Sequence, residues 1–473
     1  MRLRPSIVSK LALLAVLSPA APALAEGPRW TPLTGLLAPD GESAKDKATA
    51  SPRETSSTET PEAPKRASGA SRDAAAALAL KVTLVRTVTD GQPHGDLGVR
   101  TIPVDGDLAA ALDLGEAGGA LVTQTASTSA GAAGLIVGDV IQTLDGRAID
   151  GADGLLRVLS GLKPDQSVTV DVRRVGTGSS DLKRLLVDRA NAGNVSASAS
   201  LGRLLSLGLV LGPKSYAEAA GYYLKAAEAG HVASMTRYAL FAKDGIGIPK
   251  DEALAAKWFR EAAEGGQDAA MTNLGSLYET GRGVKQDFAE AARWYRAAVD
   301  KGHMFAMHRL ALLYEAGRGV KVDNEEAVRL LRAASDKGLS EATSWLADKY
   351  EQGRGIPKDA AEAHRLNARA ADQVRRAAEQ GNAVATFNLG ILYRIGKGVA
   401  RSDTEAAYWV VRSLKLGDKY LVSELMRNPS VLSADDRKWL QEVLRDEGTY
   451  KGPINGTFTP EVRTAMEALA NSA

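Results

Sequence analysis

YETGRGVKQD at Tyr278–Asp287 and YEAGRGVKVD at Tyr314–Asp323 each set an arginine between two glycines. Backbone N–H groups in a glycine turn can cradle a phosphate, and a guanidinium beside them would add charge. A nucleotide phosphate loop also needs a preceding strand and GxxxxGK followed by Ser or Thr, or a third glycine three residues on. That position holds Gln286 or Val322 here. The turn therefore reads as a connector between helices. His94, His231, His303, His308 and His364 are scattered, and the step from His303 to His308 misses the one-turn spacing that aims two ligands at one ion. Carboxylate pairs such as Asp251-Glu252 and Glu325-Glu326 sit at expected helix starts, where the helix dipole accounts for them. The sequence has no cysteine, which excludes disulfides, thiolate metal ligands and cysteine nucleophiles. Spacing alone identifies no Ser–His–Asp arrangement, since a triad is defined in space. No catalytic residue, metal or cofactor is expected.

The turns belong to a repeat. Glycine-x-glycine recurs with first glycines Gly245, Gly281, Gly317, Gly353 and Gly396, in steps of 36, 36, 36 and 43 residues. The last step exceeds the others by seven, about two helical turns, so an extension near Arg369–Arg375 preserves helix phase. A second series, Gly230, Gly266, Gly302, Gly338 and Gly381, runs 15 residues ahead of the first. Two stops per period mean stacked helical hairpins. Gly281 and its equivalents should end the first helix in the left-handed conformation. Asp251, Asp287, Asp323 and Asp359 should cap the second helix. Tyr278, Tyr314, Tyr350 and Tyr393 end the first helix, where a ring can pack on the next unit; Ala242 replaces tyrosine in the first copy. Trp258, Trp294, Leu330 and Leu366 should be core knobs, and pairs such as Ala262-Ala263 and Ala297-Ala298 allow close helix approach.

Upstream the texture differs. Arg2, Arg4 and Lys10 precede the apolar run Leu11–Leu17 and the small-residue triplet Ala23-Leu24-Ala25, the layout of a secretory signal (1–25) cleaved after Ala25. The run is broken by Pro19 and Pro22, too short for a membrane span. Residues 26–78 are rich in Pro, Ser, Thr and mixed charge and read as a disordered tether. Short alternating runs follow, VTLVRTV, LGVRTI, GALVTQT, GDVIQTLDG and SVTVDVRR, which read as strands. GADGLLRVLSGL at Gly151–Leu162 interrupts them as a helix, its face marked by Leu155, Leu156, Val158, Leu159 and Leu162. The chain of 473 residues balances 59 basic against 57 acidic groups, which argues against a nucleic-acid binder.

These patterns resemble known families. The repeat, at about Ser215–Gly417, resembles the Sel-one-like repeat, a short relative of the tetratricopeptide hairpin; Ser196–Leu211 looks like a degenerate leading unit. The resemblance implies a solenoid that binds other proteins and has no chemistry of its own. GDLGV at Gly95–Val99, GGALV at Gly118–Val122 and AGLIVGDVIQTLDGRAI at Ala133–Ile149 resemble a PDZ domain of the kind in HtrA-type proteases. That likeness implies a carboxylate-binding loop at Asp96, Leu97, Gly98 and Val99. It also implies a groove for a partner's C-terminal peptide lined by Arg100, Ile102, Leu155, Val158 and Leu159. No GNSGG-like nucleophile loop occurs. Arg437–Leu469 resembles a small peptidoglycan-binding module, with Asn455 and Phe458 the implied contacts. Asn455 stands where that family usually has aspartate and Thr459 where it has glycine. Capping of the last repeat is the alternative.

The expected architecture is a small PDZ-like β-sheet domain with a helix (79–190), then an all-α solenoid of helical hairpins (196–420), then a helical module (433–473). The expected protein is a periplasmic, non-enzymatic scaffold. Its partners would be periplasmic proteins or peptides with free C-termini and, through the tail, peptidoglycan. The alternatives are an accessory or regulator of a periplasmic protease or sensor kinase, and a peptidoglycan hydrolase.

Overall fold

The computed structural model describes residues 76–83, 85–89, 92–125, 133–176, 178–208, 214–417, 419–429, 432 and 434–470. The signal-like segment and nearly all of the expected tether lie outside them. The chain divides after Asp251 into two compact units.

The first unit begins with an antiparallel sheet ordered β1-β8-β6-β5-β4, with β7 paired to β6 and a separate hairpin β2-β3. The strands are β1 Ala76–Thr83, β2 Val85–Thr89, β3 Gln92–Asp96, β4 Val99–Pro103, β5 Ala120–Thr125, β6 Asp139–Leu144, β7 Arg147–Ala148 and β8 Ser167–Arg174. Strand β1 is unexpected. Its alanines favour helix intrinsically, yet all eight residues pair with β8, and the strand starts inside the stretch read as tether. Alternation in β8 turns Val168, Val170 and Val172 inward, where they join Val82, Leu97, Ile141 and Leu144. Helix α1 Gly106–Ala111 follows β4, and α2 Ala152–Leu159 lies against β4 and β5. Asp139 is fully buried and takes a two-pronged bond from Arg174, Nε and Nη2 each at 2.8 Å, so its charge is compensated.

Three further helices, α3 Ser179–Asn191, α4 Val195–Leu207 and α5 Tyr216–Glu228, lead into α6 Val232–Asp244. The sheet is fastened to them through α1, an element the sequence did not announce. Asp105 caps α1 by accepting from Leu108 N at 2.8 Å and pairs with Arg203, which also donates to the Pro103 carbonyl at 3.1 Å. Asp107 accepts from Ser196 Oγ at 3.0 Å and lies 3.1 Å from His231 Nε2. Arg189 bonds the Ala111 carbonyl and pairs with Asp113.

The second unit is a series of hairpins: α7 Glu252–Glu264, α8 Asp268–Thr280, α9 Phe288–Asp300, α10 Met304–Ala316, α11 Asn324–Asp336, α12 Ser340–Gln352, α13 Ala360–Glu379, α14 Ala383–Ile395 and α15 Asp403–Lys415. All have 13 residues except α13, which has 20; the seven extra residues extend one unbroken helix. Asp287, Asp323 and Asp359 cap α9, α11 and α13 through their side chains. The first glycine of each turn takes the left-handed conformation, φ 69° at Gly281. The second has a different reason. A Cβ on Gly283 would stand 2.0 Å from the Glu252 carbonyl oxygen, so the turn presses backbone to backbone on the start of an earlier helix. Trp258, Trp294, Leu330 and Leu366 are buried. The tyrosines have a specific partner: Tyr278, Tyr314, Tyr350 and Tyr393 accept from Arg260, Arg296, Arg332 and Arg375 at 2.9, 3.2, 3.1 and 3.2 Å.

His308 on α10 is buried with Nε2 unpartnered, and burial, helped by the Arg309 charge, holds its pKa down to about 3. The native ring stays neutral while the unfolded one protonates near its ordinary value of 6.5, so below that pH the unfolded chain binds more protons. This stability is complete above pH 6.5 and is lost as pH falls toward 3, at up to about 1.4 kcal/mol per pH unit. Urea unfolding of the protein and of His308→Leu across that window should show the shallower slope in the variant; parallel slopes would refute the assignment.

Last come α16 Lys419–Arg427, α17 Ala434–Asp446 and α18 Pro460–Ala470. Trp439, Leu440, Val443, Leu444, Val462, Met466 and Leu469 share one core with Phe387, Ile391, Val410 and Leu414 of α14 and α15. Buried Gln441 organises the turn between α17 and α18. Its Oε1 accepts from Asn455 N and Gly456 N at 3.0 and 2.7 Å, and its Nε2 donates to the Thr457 carbonyl at 2.8 Å.

Candidate peptide groove

Strand β4 ends the sheet among the described residues, and α2 runs beside it. At one end Gly151, which precedes α2, approaches Pro103: a Cβ there would lie 3.3 Å from the proline Cβ. Pro103 has no N–H, so the edge can extend no ladder past it. At the other end Gly98 turns the chain from β3 into β4 with φ 70°. Between them is an edge strand flanked by a helix, the arrangement that accepts an added strand.

The sequence-derived residues divide by depth. Leu97, Ile102, Leu155 and Leu159 are buried, and Leu97, Leu155 and Leu159 belong to the core of the sheet domain. Val99 and Val158 are half-buried against that core, and Arg100 is exposed. Asp96 ends β3, its backbone paired with Val85. The structure thus brings Gly98, Val99 and Val158 to the rim and uses the larger leucines to support it. Leu156 departs from the expected helix face: it is 61% exposed on α2. Its place, one residue from Leu155 and two from Val158, could have flagged it, because a helix turns about 100° per residue and cannot bury all three alike. The edge also carries a β-bulge at Arg100/Thr101, where Thr123 Oγ1 donates to the Arg100 carbonyl at 3.0 Å.

In the tail, Asn455 is exposed in its turn and its Oδ1 accepts from Thr457 N at 2.9 Å, while Phe458 is half-buried against the shared core. Among the described residues no cluster of three or more His, Cys, Asp or Glu side chains could hold a metal, and no helix is long and apolar enough to cross a membrane.

The PDZ domain family matches residues 95–183, and the Sel1 repeat family matches 195–231, 232–267, 268–303, 305–339, 340–373 and 383–418. The chain carries one PDZ domain and six Sel1 repeats. The first Sel1 match includes the stretch Ser196–Leu211 that reads as a degenerate leading unit, so that unit and the five copies after it make six. A Rhizobium meliloti (strain 1021) protein, "Probable periplasmic serine endoprotease DegP-like", is 30% identical over 154 residues, covering 29% of this chain and 31% of that protein. The chain therefore spans under a third of that relative's length. A Sel1 repeat protein from Oxalobacter formigenes is 30% identical, with a TM-score of 0.42, over 50% of this chain and 90% of the other. The protective antigen c5321 of uropathogenic Escherichia coli is 26% identical, with a TM-score of 0.39, over 58% and 66%. PDZ domains and Sel1 repeats are protein-interaction modules, and both are present in this chain.

Proposed function

We propose that the chain is an exported periplasmic scaffold without chemistry of its own. Its PDZ domain takes the C-terminal peptide of one protein, and its Sel1 repeats hold another. The observation that carries this reading is the edge strand β4 beside α2, entered through the left-handed Gly98. An incoming chain would pair with Val99–Ile102 and set its last side chain against Val99 and Val158. The loop Asp96–Val99 would face its carboxylate. Export is supported by the basic, apolar and small-residue order of the first 25 residues, and by the periplasmic designation of the partly matching relative.

The PDZ reading is tested with the chain from Glu26 and a fluorescent peptide ending in an apolar residue. Binding is expected with a Kd on the order of 10 µM, and about tenfold or more weaker for the C-terminally amidated peptide. Equal affinity for the two forms would remove the carboxylate site. Location is tested by osmotic-shock release from cells; retention with the cytoplasmic fraction would end the periplasmic reading.

A second reading, accessory to a periplasmic protease, draws on the likeness to the DegP-like endoprotease. Co-purification with a protease whose turnover responds to the chain would favour it. Attachment to peptidoglycan through Asn455 and Phe458 belongs to the same proposal.

A further inference from the structure

The extra length of α13 falls on the turn that follows it. Gly319 and Gly355 lie against Phe288 and Asn324, the first residues of α9 and α11. Gly398 lies instead against Asn367, the eighth residue of α13, so Ala360–Leu366 projects beyond the contact. Beside this overhang is a cleft of about 510 Å3, lined by Glu351, His364, Asn367 and the turn Gly396–Ala400.

The repeat supplies an internal comparison. Glu279, Glu315 and Glu351 occupy one position, 36 residues apart. Glu279 accepts from the Tyr295 hydroxyl at 2.7 Å, and Glu315 pairs with Lys349 at 2.5 Å and Arg354 at 3.7 Å. Glu351 has neither kind of partner. Across the 43-residue step the cation equivalent to Arg354 is Lys397, which pairs at 3.0 Å with buried Asp348, and the position of Lys349 becomes Leu392. Asn367 stands where Tyr295 stood and gives Glu351 only a long bond from Nδ2, 3.3 Å. The other end of that amide, Oδ1, is buried without a donor. The cleft thus has a carboxylate with no cation and an acceptor beside it with no donor, while the Lys397 charge is already neutralised. A group bringing positive charge and several N–H donors in one plane would satisfy both.

We propose that this cleft receives a guanidinium group, the arginine side chain of a protein partner, with Glu351 as the ion-pair acceptor and Asn367 as the residue that positions it. The planar fork of arginine suits a carboxylate with a second oxygen nearby better than the compact ammonium of lysine does. The site is separate from the PDZ edge, so it stands or falls independently of peptide binding there.

The test is titration of the isotope-labelled chain from Glu26 with N-acetyl-arginine amide, following the amide resonances of Gly396, Gly398 and Val399. Saturable shifts are expected with a Kd on the order of 1 mM. The neutral isostere N-acetyl-citrulline amide, and the arginine probe against Glu351→Gln, should each bind at least about tenfold more weakly. Glu351 is exposed, so the variant's unchanged spectrum elsewhere will certify its fold. Absence of saturable shifts, equal response to citrulline, or undiminished binding by Glu351→Gln would each overturn the assignment.

Discussion

Gly319→Ala should destabilise its hairpin by about 3–5 kcal/mol, whereas Gly338→Ala, one hairpin connection later, should cost only about 1–2 kcal/mol. Both glycines have positive φ, 67° and 96°, so both substitutions meet the left-handed penalty. They differ in what the new methyl group would touch. At Gly338 nothing lies within 4 Å. At Gly319 the carbon would stand 2.2 Å from Phe288 C, 2.3 Å from Phe288 O and 2.4 Å from Ala289 N. Those are backbone atoms at the start of α9, which Asp287 holds by accepting from Ala289 N and Glu290 N, both at 2.9 Å. Relief requires lifting the whole turn from the helix it clamps. Because a repeat array can open one unit at a time, the measurement is native-state hydrogen exchange of the α9 and α10 amides in the full chain. A loss of protection equal in the two variants would mean that the second glycine serves conformation alone, not close approach.

That contrast also explains how much of the fold was legible. A period written by glycines is readable because each has a strict backbone duty, and the aspartate caps and tryptophan knobs fall where the duty places them. The seven-residue surplus was readable as a phase-preserving extension, but not the cleft it opens, which depends on which residue Gly398 meets in space. Local propensity misled at β1, where alanines become a strand because β8 offers them a full ladder of partners. It was silent at α1, a six-residue helix whose purpose is tertiary: Asp105 and Asp107 are ordinary acidic residues until Arg203, Ser196 and His231 are brought to them. In the groove, the sequence set Leu97, Leu155 and Leu159 beside Val99 and Val158 as expected peptide contacts and could not rank them by depth. Depth separates Val99 and Val158 at the rim from Leu97, Leu155 and Leu159 in the core.

The docking through α1 bears on the proposed scaffold. Domains joined by a loose linker gain from each other only through effective concentration. Here Arg203 holds the carbonyl of Pro103, the last residue of the edge strand, and its own helix α4 opens the first Sel1 match. The proposed peptide edge and the leading repeat helices are therefore joined by a hydrogen bond within one compact unit, not by a loose linker.

A chain ended after Leu432 should lose protection throughout α14 and α15 while α8 to α11 keep theirs, and it should aggregate on mild heating. The tail is not an appendage: Trp439, Leu440, Val443, Leu444, Val462, Met466 and Leu469 are buried in the same cluster as Phe387, Ile391, Val410 and Leu414. Each large apolar side chain so buried contributes about 1.5–3 kcal/mol relative to exposure, and removing the tail uncovers the α14 and α15 side of that contact. A single substitution gives a calibrated version. Leu444 is fully buried, so Leu444→Ala should cost about 2–5 kcal/mol, with the loss again confined to the terminal hairpin. If the truncated chain instead kept α14 and α15 fully protected, the tail would have to be a separate body rather than a cap. The result also fixes how wall attachment must be tested. A truncated chain that pellets with sacculi would report its own exposed core, whereas Asn455→Ala alters an exposed turn and leaves the core intact. Co-sedimentation that falls in Asn455→Ala would assign the turn to peptidoglycan. Co-sedimentation unchanged by it, or absent from the intact chain, would leave the tail as the structure that closes the last repeat.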